Sequence, residues 1–127
     1  MLDHWEQRAF SDVVDFLSDE PTVPMRLRKL GKIAANAAGE EFGGLLVEPA
    51  IRAWARSDPA VAQAVRKVDA QRLDYLNQLL AELGITNPDF ARLIYASLIG
   101  LEDLSSRDGQ PGQRPLGTLI DLILALE

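Results

Sequence analysis

Between Asp58 and Gly84 the chain carries one long helical signature with both ends marked. Asp58 is a good N-cap, Pro59 fits the first helical position, and Gly84 tolerates the left-handed turn that closes a helix. In between, Val61, Val65, Val68, Leu76, Leu79 and Leu83 recur at the helical period and form one apolar stripe. Arg72 sits in the middle of that stripe, where another leucine would fit. An unpaired guanidinium is too costly to bury, so Arg72 needs a partner or must reach water. Glu6 offers a partner, because it falls inside the apolar arc of the first helix between Val13 and Leu17. The expectation is an Arg72 to Glu6 pair across the core. Either it is a structural salt bridge, or it is a polar anchor inside a ligand cavity, with Ser97 and Tyr75 as further anchors.

The rest of the chain is helical as well. No segment shows sustained two-residue alternation or a hairpin turn signal. Six helices are separated by clear punctuation. The first covers residues 2 to 17, with Trp5, Ala9, Phe10, Val13, Phe16 and Leu17 as its apolar face. Pro21 and Pro24 end it, and Thr22 caps the second, over residues 23 to 38. There Leu27, Leu30, Ile33, Ala34 and Ala37 face inward, and Arg28, Lys29 and Lys32 face water. The third, residues 47 to 56, has Pro49 in its first turn and Ile51 and Trp54 on one face. The fourth runs from residue 59 to 83. The fifth starts with Asn87 and Pro88, repeating the Asp58 and Pro59 device, and ends near Leu104. A polar loop, SSRDGQPGQR, then leads to a sixth helix within PLGTLIDLILALE. The 127 residues read as a single domain, an all-α six-helix bundle with orthogonal and antiparallel packing.

Composition removes several kinds of function. The chain has no cysteine, which excludes a thiol nucleophile, a disulfide and a thiolate zinc site. Its net charge of −6 repels a phosphate backbone, and no basic stripe or aromatic platform for bases is present. The one histidine, His4, lies on the polar side of its helix, so no Ser-His-acid arrangement can be built. The carboxylates do not cluster as metal ligands, and GEEFGG lacks the features of a phosphate loop. Trp5, Phe42, Trp54, Tyr75 and Tyr95 fit a core better than a cofactor box. No catalytic residue, metal or cofactor is expected, and the chain is not read as an enzyme. With neither a signal peptide nor a membrane-spanning run, a cytoplasmic protein is expected.

The last two helices are apolar around most of their circumference. Leu116, Leu119, Ile120, Leu122, Ile123, Leu124 and Leu126 cover over half of the sixth. The fifth has Phe90, Leu93, Ile94, Leu98, Leu101 and Leu104 on one face, and Ala96 and Gly100 as a flat strip. A helix apolar on two sides must be buried on both. A second copy of the chain would cover the outer sides with a four-helix interface about a two-fold axis. Leu93, Ala96, Gly100, Leu104, Leu119, Ile123 and Leu126 are the expected contacts of that homodimer.

EPAIRAWARSDPAVAQAVRKVDAQRLDYLNQLLAELG (residues 48 to 84), followed by FARLIYASLIGLEDL (residues 90 to 104), resembles the C-terminal ligand-binding and dimerisation domain of TetR-family transcriptional regulators. MLDHWEQRAF resembles the helix that leaves the family's DNA-binding head. The resemblance implies an all-helical homodimer paired through its last two helices. It also implies a small, mostly apolar effector near Arg72 and Tyr75, whose binding releases a repressor from DNA by shifting two states. From helical phase, the residues expected to line the effector site are Trp5, Glu6, Trp54, Arg72, Tyr75, Leu76 and Ser97. The family's helix-turn-helix head is absent from these residues, so DNA would be reached only through a head outside this chain. Two other readings are a headless helical domain that sequesters a partner by heterodimerising, and a small helical enzyme.

Overall fold

The computed structural model describes the backbone of residues 2–35 and 47–126, and the side chains of residues 4–32 and 48–126. It is all-helical over those residues. Helix α1 (residues 2–17) is α-helical over Leu2–Glu6, π-helical over Gln7–Ser11 and α-helical again over Asp12–Leu17. It is followed by α2 (Val23–Ala35), α3 (Val47–Ala55), α4 (Pro59–Ala81), α5 (Pro88–Asp108) and α6 (Gln113–Leu124). No helix among the described residues is long and apolar enough to cross a membrane. The inward positions expected at Ile33, Ala34, Ala37 and Phe42 lie outside the described side chains.

The caps are the ones written in the sequence. Thr22 Oγ1 accepts from the Met25 amide at 3.3 Å. One Asp58 oxygen accepts from Ala60 at 2.9 Å and Val61 at 3.4 Å, and Asn87 Oδ1 accepts from Asp89 at 3.0 Å. These bonds satisfy amides that have no partner within their own helix. Gly84 takes φ +81°, which lets the Ile85 amide reach back to the Leu80 carbonyl at 3.0 Å and close α4.

One apolar cluster joins α2, the second half of α4, α5 and α6 through Leu27, Leu76, Leu79, Leu80, Ala91, Ile94, Tyr95, Leu116, Ile120 and Ile123. Another joins α1, α3 and the first half of α4 through Trp5, Ala9, Ile51, Val61, Val65 and Val68. Along α4, Val68 belongs to one cluster and Leu76 to the other, with Arg72 between them.

Four expectations change. Phe16 is partly exposed and lies under the Lys29 ammonium, 3.8 Å from the ring centroid, while Leu17 is fully buried. An uninterrupted α-helix steps about 100° per residue, placing Leu17 about 120° from Trp5. The extra residue of the π turn swings Leu17 back to about 20° from Trp5 and turns Phe16 outward. Lys29, expected to face water, is thereby drawn onto Phe16 and pairs with Glu20 at 3.3 Å. Trp54 is exposed rather than inward, because α3 turns Glu48, Ile51, Arg52 and Ala55 toward the bundle and leaves Trp54 at its outer edge. Helix α5 also continues to Asp108, so only residues 109–112 link it to α6.

Candidate functional site

Arg72 is met by a carboxylate from α3. Its Nη2 donates to Glu48 Oε1 at 2.8 Å and its Nη1 to Glu48 Oε2 at 3.2 Å, a forked pair. Nε donates to the backbone carbonyl of Ala9 in the π stretch of α1 at 3.0 Å. Nη1 also donates to the Tyr95 hydroxyl on α5 at 3.2 Å. One guanidinium on α4 therefore ties together α1, α3 and α5.

A second arginine repeats the arrangement one turn along α3 from Glu48. Arg52 Nη2 donates to Asp69 Oδ1 at 2.7 Å and to the Tyr95 hydroxyl at 3.0 Å. Its Nη1 reaches Asp69 Oδ2 at 3.4 Å, and its Nε reaches Glu48 Oε2 at 3.4 Å. The Tyr95 hydroxyl donates to Asp69. Two cations and two anions balance, and every charged member has a directed partner. The Arg72 and Glu48 side chains are 22% and 19% exposed, so the pair is largely shielded from water.

Burial alone would raise the Glu48 carboxyl, but Arg72 and then Arg52 more than offset it and hold the group below its ordinary value. Burial alone would lower both guanidiniums; their carboxylate partners raise them instead, so each stays charged. The Tyr95 hydroxyl is pushed up to about 12, by burial first and against the pull of Arg72. It is therefore neutral at ordinary pH, able to donate to Asp69 and accept from both arginines. Glu102 lies near this cluster and is raised, first by burial and then by the Glu48 charge.

Such an assembly ties α1, α3, α4 and α5 to one another. The donors of the Arg72 fork are filled. Among the described residues no group of His, Cys, Asp and Glu could hold a metal ion.

The Arg72 to Glu6 pair expected from the sequence is not formed. Glu6 pairs with Lys67 at 3.6 Å. Lys67 lies five residues before Arg72, about 7.5 Å along the axis of α4, so Glu6 meets the wrong turn. Glu48, Arg52 and Asp69 were missed, although the signal was present. Glu48 and Arg52 are four apart on α3, Asp69 and Arg72 are three apart on α4, and each pair therefore shares a helix face.

The residues expected to line an effector site are dispersed. Trp5 is buried in the cluster of α1, α3 and α4, and Leu76 in the larger one. Tyr75 is half-buried and edge-on to Phe10, with ring centroids 6.1 Å apart. Ser97 is half-buried and Trp54 exposed. An open polar cleft of about 190 Å3 runs between α1 and α4, lined by Glu6, Gln7, Ser11, Lys67 and Gln71. Of the expected set, Glu6 alone borders it.

The outer surface of α5 and α6 carries the other feature. Leu93, Ala96, Gly100 and Leu104 are exposed along α5, and Leu122 on α6 and Leu126 in the turn after it are exposed as well, with Leu119 of α6 half-buried. Ile123, expected at an interface, is instead in the core. It is 4% exposed and its neighbour Leu122 is 65% exposed, because α6 turns Leu116, Ile120 and Ile123 inward at the helical period. Comparison with family models, with curated proteins and with solved structures finds no match to this chain.

Proposed function

We propose that this chain is the effector-sensing and homodimerising domain of a TetR-like transcriptional regulator, a repressor released from DNA by a small, mostly apolar molecule. The observation that carries the reading is the exposed apolar surface on α5 and on the end of the chain at α6, two helices in contact. Leu93 and Leu104 on α5, Leu122 on α6 and Leu126 just after it stand in water, with Ala96 and Gly100 forming a flat stretch of α5 where another backbone fits. A Cβ at Gly100 would meet nothing within 4 Å inside the chain, so the centre of this strip is open. A second copy placed about a two-fold axis covers the strip with its own. The resemblance of residues 48–84 and 90–104 supplies the regulatory half of the reading.

Light scattering on Leu122→Glu tests the dimer. The variant is expected to halve the particle mass while keeping its helical circular dichroism, and an unchanged mass places the interface elsewhere. The intact mass of the polypeptide in its native source tests the rest. A helix-turn-helix head adds roughly 5 to 6 kDa to the 14.0 kDa of these residues. A native mass of 14.0 kDa turns the reading toward a partner-sequestering protein.

A further inference from the structure

We propose that the π stretch of α1 is a register switch held in place by Arg72. In Gln7–Ser11 the Asp12 amide bonds to the Gln7 carbonyl, five residues back instead of four. Such single-turn π insertions are rare and concentrate at functional sites. The local sequence, QRAFS, contains neither proline nor glycine, so nothing within the stretch forces the wide turn. The cause is tertiary. Arg72 Nε–H holds the Ala9 carbonyl at 3.0 Å, drawing it out from the helix axis at the centre of the stretch. The extra residue also brings Trp5 and Leu17 onto one face, and both are buried.

The same residues have a second arrangement available. In an uninterrupted α-helix, residues 2–6 turn by one residue step, about 100°, relative to residues 12–17. Trp5 then leaves Val61, Val65 and Val68, and Glu6 leaves Lys67. Gln7 and Ser11, which form one wall of the polar cleft, move away from Lys67 and Gln71. Arg72 decides between the two registers because its donors are shared among Ala9, Glu48 and Tyr95. The switch therefore links the buried charges to the direction in which the start of α1 points, with or without a DNA-binding partner.

Hydrogen exchange of the full chain, read by mass spectrometry, tests this with Arg72→Lys. Lysine keeps the cation beside Glu48, but one ammonium cannot also serve the Ala9 carbonyl in the geometry of the planar fork. Amides of residues 2–11 are expected to exchange faster by a factor on the order of 10 to 100, the effect of losing one hydrogen bond to a charged group. Amides of α5 are expected to keep their wild-type rates. Unchanged exchange in residues 2–11, or equal acceleration throughout the chain, overturns the switch. Deleting Ser11, an exposed residue of the π stretch, gives a second test. The deletion is expected to fold with a regular α1, since Trp5 and Leu17 then share a face without the wide turn. In that background Arg72→Lys is expected to add no local acceleration. A deletion variant that unfolds, or one that still responds to Arg72→Lys, overturns the proposal.

Discussion

Replacing Arg72 with methionine keeps most of its length and removes its charge and five donors. Glu48 then loses its forked partner and retains Arg52 at 3.4 Å. Removing one member of a buried ion pair costs about 3–5 kcal/mol. About a fifth of each side chain reaches solvent and Arg52 remains, so the expected loss is about 2–4 kcal/mol. Glu48→Gln leaves Arg72 with the Ala9 carbonyl and the Tyr95 hydroxyl but without its anion, and is expected to cost about 2–3 kcal/mol. The double variant restores a balance of one cation against one anion. Its cost is expected to fall short of the sum of the single costs by at least about 1.5 kcal/mol. Urea unfolding followed at 222 nm measures all four proteins, at one fixed protein concentration because association adds to apparent stability. Additivity within about 0.5 kcal/mol would refute the pair. Glu6→Ala is the control. Its partner Lys67 is mostly exposed, so the expected cost is under about 0.5 kcal/mol, with no coupling to Arg72.

Asp58→Ala removes both bonds that start α4 and is expected to cost about 1 kcal/mol, read as a lower urea midpoint at an unchanged slope. An unchanged midpoint would mean that α4 does not depend on this cap. Stability against pH follows two opposed carboxylates. Glu48 is held below 4.5 in the folded state, so its contribution is complete above 4.5 and is lost as pH falls through the folded value. Glu102 is held above 4.5, by burial first and then by Glu48, so its contribution improves as pH falls from the folded value toward 4.5. Glu102→Gln is therefore expected to raise the urea midpoint at pH 7 and to remove that gain; a lowered midpoint would contradict the sign.

The parts of the fold that depend on neighbours in the chain were legible in advance. Asp58 with Pro59, Asn87 with Pro88, Thr22 and Gly84 act within a few residues of themselves, so each predicts its own helix end. The apolar stripe of α4 was also legible, because a straight helix repeats at a known angle. The same rule failed on α1. One extra residue in its turn moved Phe16 off the expected apolar face while Leu17 stayed on it, and nothing in QRAFS announces it. The candidate site was half legible. An arginine in an apolar stripe demands a partner, and that demand holds from the sequence alone. Which carboxylate answers it depends on how far along each helix axis the crossings fall, and on that measure Glu48 wins over Glu6.

The wide apolar arc of α6 shows the same division. Composition guaranteed that α6 would be apolar on more than one side. Its rotation against α2 and α5 decided that Ile123 would enter the core and Leu122 would face water. Residue type and spacing thus determined the six helices of the described residues, most of their ends and the need for a buried charge pair, because these rest on local bonds and a fixed helical period. Tertiary packing decided the partner of Arg72, the π turn in α1 and the composition of the exposed strip, because each depends on the relative rotation and translation of helices far apart in the chain.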